Sequence, residues 1–205
     1  MKIKEKFSLL AFFILIFLII LLILVNYGAK KENTLQKYLD KFGVSWEGAE
    51  NFLINKSSAQ QAKENNKIMA DYKNQLIRLE IITGLEKESA EKHITNRRYV
   101  IDSLFLDIAA PYPDAITNTL ECPDEFKPKI REIKISNFDT AYYEIFATER
   151  LTYGACSDDL IKYKTMLAWV YCENAKNLFQ IELFLPKNEF NGDYSGLFNS
   201  FKCEK

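Results

Sequence analysis

The sequence predicts an α+β fold: an N-terminal transmembrane helix, then a helical hairpin packed on a four-stranded antiparallel β-meander, then a short C-terminal helix. Three observations carry this. Phe7 to Val25 is a run of nineteen residues without a charge. The residues that follow repeat their apolar positions at helical spacing up to about residue 110, and beyond Pro111 the repeat changes to the alternation of strands. The resulting division is a short tail over 1–6, a transmembrane helix over 7–26, a juxtamembrane helical segment over 27–56, an αα-hairpin over 57–110 and a sheet with a C-terminal helix over 111–205. Residues 57–205 would form one α+β domain.

At about 1.5 Å per residue the apolar run would cover roughly 28 Å, close to the hydrocarbon thickness of a bilayer. A cleavable signal peptide has a shorter apolar core of about 7–15 residues and a small-residue cleavage site. The exit here, Asn26-Tyr27-Gly28-Ala29-Lys30, spaces its small residues poorly for cleavage. The run is therefore expected to remain as an anchor in the lipid bilayer through residues 7–26. Lys2, Lys4 and Lys6 precede it with only Glu5 opposed, while Lys30 and Lys31 follow it. The positive-inside rule then places the N-terminus in the cytoplasm and the C-terminal domain outside, with Tyr27 near the headgroups.

Beyond the run, Leu35, Tyr38, Leu39 and Phe42 lie at helical spacing and Gly43 is placed to end that helix. Trp46, Phe52 and Leu53 form a short apolar patch expected to pack on the domain. Ser58-Ala59-Gln60-Gln61 fits a capping box, and Met69, Tyr72, Leu76 and Leu79 recur at spacings of three, four and three up to Gly84. Thr83-Gly84-Leu85-Glu86 fits a second capping box. It would open a helix in which Ile94, Ile101, Leu104, Phe105 and Ile108 share a face until Pro111. Two such helices joined by a short turn make the αα-hairpin.

After the prolines at 111, 113, 123 and 128, strand alternation appears around Ile130, Ile133 and Ile135, then around Tyr143, Ile145 and Ala147. A third strand places Ile161, Tyr163, Leu167, Trp169 and Tyr171 on one face and Lys162 and Lys164 on the other. A fourth turns Phe179, Ile181, Leu183 and Leu185 inward, and Gln180 and Glu182 outward. The short connections imply a meander covered on one face by the hairpin.

Cys122, Cys156, Cys172 and Cys203 are even in number and dispersed, with no C-x-x-C pair. This reads as two disulfides in an oxidising compartment, not as a zinc site. Cys156 and Cys172 stand at opposite ends of the third strand, roughly 50 Å apart if it is continuous, far beyond the about 7 Å a disulfide spans. An up-and-down sheet brings Cys122 toward Cys156, and a C-terminal helix over 195–201 carries Cys203 toward Cys172. The expected pairs are Cys122–Cys156 and Cys172–Cys203. Asn55-Lys56-Ser57 is a glycosylation sequon, exposing Asn55 to modification on an external domain.

A net charge of −1 argues against a nucleic-acid partner. The 15 Phe and 11 Tyr supply a packed core and argue against disorder. There is no G-x-S-x-G, glycine-rich phosphate loop or H-E-x-x-H, and His93, the only histidine, lies among Glu91, Lys92, Arg97 and Arg98 as a solvated surface group. Asp124-Glu125 and Asp158-Asp159 fall where turns are expected. No catalytic residue, cofactor site or metal ligand is assigned.

The functional expectation is a single-pass anchored protein whose disulfide-stabilised extracytoplasmic domain, at the cell membrane, binds an envelope protein through the hairpin or an exposed sheet edge. An apolar N-terminal helix leading into an antiparallel sheet with a carboxyl-side disulfide resembles the layout of pilin-like filament subunits, which implies self-assembly. A membrane-anchored hydrolase whose site follows no familiar motif is the remaining enzyme alternative. A domain facing the cytoplasm would instead keep its cysteines as thiols or zinc ligands.

Overall fold

The structure is a computed structural model that describes residues 13–22, 34–55, 66–105, 123–150, 155–189 and 195–204. Most of it is one seven-stranded antiparallel sheet. In chain order the elements are helix α1 (13–22), helix α2 (Leu35–Leu39), strands β1 (Val44–Ser45), β2 (Leu53–Ile54), β3 (Lys67–Tyr72) and β4 (Gln75–Ile82), then helix α3 (Lys87–Phe105). Strands β5 (Lys129–Ile135), β6 (Phe138–Ala147), β7 (Tyr163–Cys172) and β8 (Asn177–Pro186), helix α4 (Ser195–Asn199) and strand β9 (Lys202–Cys203) complete the chain. The spatial order of the large sheet is β2-β3-β4-β8-β7-β6-β5, and β1 pairs with β9 in a separate two-stranded sheet. The central strands are thus β4, β8 and β7, while β5 forms one edge.

The hairpins follow from local turn chemistry. Ser136 and Asn137 both take positive φ, 49° and 66°, between the paired residues Ile135 and Phe138. Two positive φ values make a type I′ turn, whose twist matches that of the flanking strands. The β7–β8 loop spans Glu173–Lys176 and ends with Lys176 at φ 51°. Lys73-Asn74 joins β3 to β4, with Lys73 at φ 52°.

That last turn corrects the helical hairpin expected over 57–110. Its first half is not a helix: residues 67–72 and 75–82 are paired strands. Met69, Tyr72, Leu76 and Leu79 imitate helical spacing because the chain reverses between them through a turn lacking both Gly and Pro. In the strands, Ile77, Leu79 and Ile81 point to one face, each at most 2 % exposed. The capping box at 58–61 lies outside the described residues. Only α3 remains of the hairpin, so the sheet is not a four-stranded meander with a helical hairpin and the architecture is mostly β.

The transmembrane helix expected over 7–26 also needs correction. Of that stretch the structure describes 13–22, which are helical. Among the described residues no helix is long and apolar enough to cross a membrane. Residues 7–12 and 23–26, and Tyr27 with them, lie outside the described residues. The single-pass transmembrane helix and signal anchor expected here are thus not supported among the described residues.

Both faces of the central sheet are buried, by different means. On the first, Leu35, Leu39, Val44, Trp46 and Phe52 from the N-terminal segment meet Phe198 and Phe201 from the C-terminal one, above Ile77, Leu79, Val170, Phe179, Ile181 and Leu183. Together these two segments form a clasp. Trp46 packs on Phe201 at 5.7 Å, Phe201 on Phe179 at 5.3 Å, and Phe198 stacks on Tyr142 at 5.3 Å. The disulfide Cys172–Cys203 fixes the clasp to the end of β7. Gly43 is needed at the start of the clasp, since it closes a short 3-10 turn at φ 64°, a conformation that side chains with a Cβ rarely adopt.

On the second face, α3 lays Ala90, Ile94 and Ile101 over Tyr143, Ile145, Leu167, Trp169 and Tyr171. This second cover explains a further departure from expectation. Gln180 and Glu182 do alternate with the apolar residues of β8, but they point under a covered face, not into water. Glu182 is 1 % exposed.

Candidate functional site

Among the described residues, buried charge occurs on each face of the sheet. On the helix face Glu182 accepts from the Arg78 guanidinium opposite it on β4 and from Gln180 Nε2 at 2.8 Å. Trp169 Nε1 in turn donates to Gln180 Oε1 at 3.0 Å. Both carboxylate oxygens of Glu182 and the amide of Gln180 are thus held in a chain of donors and acceptors. On the clasp face Glu144, 8 % exposed, lies between Lys164 Nζ at 2.5 Å and Arg131 Nε at 3.1 Å. Each buried carboxylate has a cationic partner, as the low polarizability of a protein interior demands. Neither network opens on a described cavity, and both are read as structural.

A concavity of about 590 Å³ is lined by Gln36, Trp46, Glu47, Glu50, Asn199 and Lys202, among others. Its orienting groups are already engaged. Gln36 Nε2 donates to Val44 O at 2.9 Å and to Asp40 Oδ1 at 2.7 Å, and Gln36 Oε1 accepts from Trp46 N at 2.9 Å. Trp46 Nε1 donates to Leu197 O at 2.8 Å. The concavity is the seam along which the two halves of the clasp meet.

The sequence-derived candidates distribute as follows. Cys172 and Cys203 are joined, with Cα atoms 5.5 Å apart. Cys156 is also disulfide-bonded, and no described cysteine is free. Cys122, expected as its partner, lies outside the described residues. Asn55 is exposed just after β2, while Lys56 and Ser57 of its sequon lie outside the described residues. His93 is half-buried on α3, where burial first and the positive Arg97 second lower its pKa against the pull of Glu80. Asp124-Glu125 and Asp158-Asp159 are exposed in turns, where Asp124 binds Lys127 and Asp158 binds Lys187. Among the described residues no group of acidic, His and Cys side chains is placed to hold a metal.

What stands open is the edge strand β5, Lys-Ile-Arg-Glu-Ile-Lys-Ile from 129 to 135. Because Ile135 and Phe138 flank a two-residue turn, they form a hydrogen-bonded pair, and so do 133 with 140, 131 with 142 and 129 with 144. The odd residues of β5 thus direct their backbone groups to β6. Ile130, Glu132 and Lys134 direct theirs outward, and among the described residues these outward groups meet no partner. The outward row also carries exposed side chains: Ile130 is 45 % exposed, and the Glu132 and Lys134 side chains are 71 % and 60 % exposed. Arg98 braces this edge from α3, donating through Nε to Tyr143 OH and through Nη2 to Glu132, each at 3.1 Å.

Sequence reasoning recognises the strand around Ile130 but not that it ends the sheet. Position in a sheet is a non-local property, and only the charge density of the segment hints at it. Edge strands carry charges that deter indiscriminate pairing.

No protein-family model matches this chain, and no curated protein does. Among solved structures, a crystal structure of a protein from Bacteroides thetaiotaomicron VPI-5482 at 1.50 Å resolution is similar to it over 80% of the chain, with a TM-score of 0.44 and 12% identity. The chain spans 46% of that protein's length.

Proposed function

We propose that this chain is a disulfide-stabilised binding module of an oxidising, extracytoplasmic compartment, and that it captures an extended protein segment along the edge of β5. The open edge carries the reading. Three outward residues offer unpartnered backbone groups in a row fixed by the β5–β6 register, and an added strand would satisfy them in the manner of β-augmentation. The charges alongside would select the partner, since Glu132 and Lys134 present both signs within one step of the strand repeat. The cysteines support the compartment, because disulfides persist where the surroundings are oxidising.

A photoreactive residue placed at Ile130 in the cells that make the chain tests this. A discrete cross-linked product is expected from position 130 and none from position 160, where Leu160 is exposed on a turn outside β5. The product should vanish in Glu132→Pro, which removes an outward N–H while sparing the ladder to β6. Equal labelling from both positions would contradict the reading.

A further inference from the structure

We infer that the segment captured by β5 is the β5 strand of a second copy of this chain, paired antiparallel about a two-fold axis at Ile133. This rests on the reading of β5 as a docking edge, and it names the partner. A two-fold axis normal to the sheet keeps each face continuous, so residues brought opposite one another must share a face. Their numbers then sum to an even value, and the axis passes through one residue. With the axis at Glu132, two carboxylates would face each other. With it at Arg131, two guanidinium groups would do so.

The axis at Ile133 removes both conflicts. Glu132 then faces Lys134 of the partner subunit and Lys134 faces the partner subunit's Glu132, giving two complementary pairs, while Ile133 meets its own counterpart. The hydrogen-bond directions agree with this register. Glu132 and Lys134 point their backbone groups outward and so form the hydrogen-bonded pairs, while Ile133 forms a non-hydrogen-bonded pair whose Cα atoms lie about 4.5 Å apart. The strand is also bounded for the purpose, with Pro128 before it and the Ser136-Asn137 turn after it. In the dimer each Glu132 would lie between its own Arg98 and the lysine across the axis. Two seven-stranded sheets become one of about fourteen strands, and two exposed edges disappear.

Sedimentation of the full chain, with circular dichroism to establish folding, decides this. The wild type is expected to dimerise. Glu132→Lys and Lys134→Glu, each alone, should dissociate about tenfold more readily or more, because each places like charges opposite twice per dimer. An equimolar mixture of the two variants should recover the dimer, since both lysines of the first variant's strand then face both glutamates of the second's. Should Glu132→Lys fail to fold through loss of its bond to Arg98, Ile133→Cys serves instead. It should form an intermolecular disulfide on oxidation, whereas Ile130→Cys, which faces Ser136 in this register, should not. A dimer indifferent to these changes would overturn the inference. A monomer at all concentrations whose position 130 still cross-links to another protein would overturn it while leaving the docking edge standing. A monomer without such a product would defeat both.

Discussion

Replacing Arg78 by leucine is expected to lower folding stability by about 3 kcal/mol, the lower end of what removing one partner of a buried ion pair costs. The lower end applies because the Arg78 side chain is 33% exposed while that of Glu182 is 2% exposed. The cost lies in what is left behind. Glu182 would lose the guanidinium opposite it while its hydrogen bond from Gln180 comes from a neutral amide. For a chain of this length that corresponds to a fall of roughly 6–12 °C in melting temperature. The double variant Arg78→Met, Glu182→Leu removes both charges together and is expected to recover most of the loss, because well-packed apolar residues replace buried ion pairs at little cost. Urea unfolding of the three proteins measures this. A loss below about 1 kcal/mol in Arg78→Leu would show that Glu182 reaches water or another cation in solution.

The second large effect is expected at the clasp. The Cys172–Cys203 bond closes a loop of 31 residues, for which the chain-entropy relation gives roughly 3–4 kcal/mol. Removing it in Cys172→Ala, Cys203→Ala should lower the melting temperature by roughly 6–16 °C, since Cys203 also holds β9 against β1 and positions Phe201 on Phe179. Calorimetry without reductant reads this directly. A melting temperature within about 2 °C of wild type would show that the aromatic packing of Trp46, Phe198 and Phe201 holds the clasp unaided.

The parts of the fold legible in the sequence are those whose pattern is local. Strand alternation around Tyr143, Leu167, Trp169 and Phe179 marks β6, β7 and β8, and the box before Glu86 marks the start of α3. What misleads is equally specific. Met69, Tyr72, Leu76 and Leu79 share helical spacing by coincidence across the Lys73-Asn74 turn, where no Gly or Pro signals reversal. Gln180 and Glu182 look like a solvated face because a residue's polarity reports its need for partners, not the presence of water. Arg78, which meets the need of Glu182, is 104 residues away in sequence. The candidate edge was legible as a strand and as a charged segment. That β5 lies outermost follows only from the order in which all seven strands assemble.

The open edge of β5 is the claim on which the functional account depends, and residue-resolved amide hydrogen exchange tests it most directly. In full-length protein diluted until it sediments as a monomer, the amides of Ile130, Glu132 and Lys134 should exchange quickly while those of Arg131, Ile133 and Ile135, bonded to β6, exchange slowly. Addition of excess peptide with the sequence of residues 129–135 should slow the first three and leave the others little changed. Slow exchange at Ile130, Glu132 and Lys134 before any peptide is added would show that the edge is already covered, and fast exchange that the peptide does not alter would show that it pairs with no strand of this chemistry.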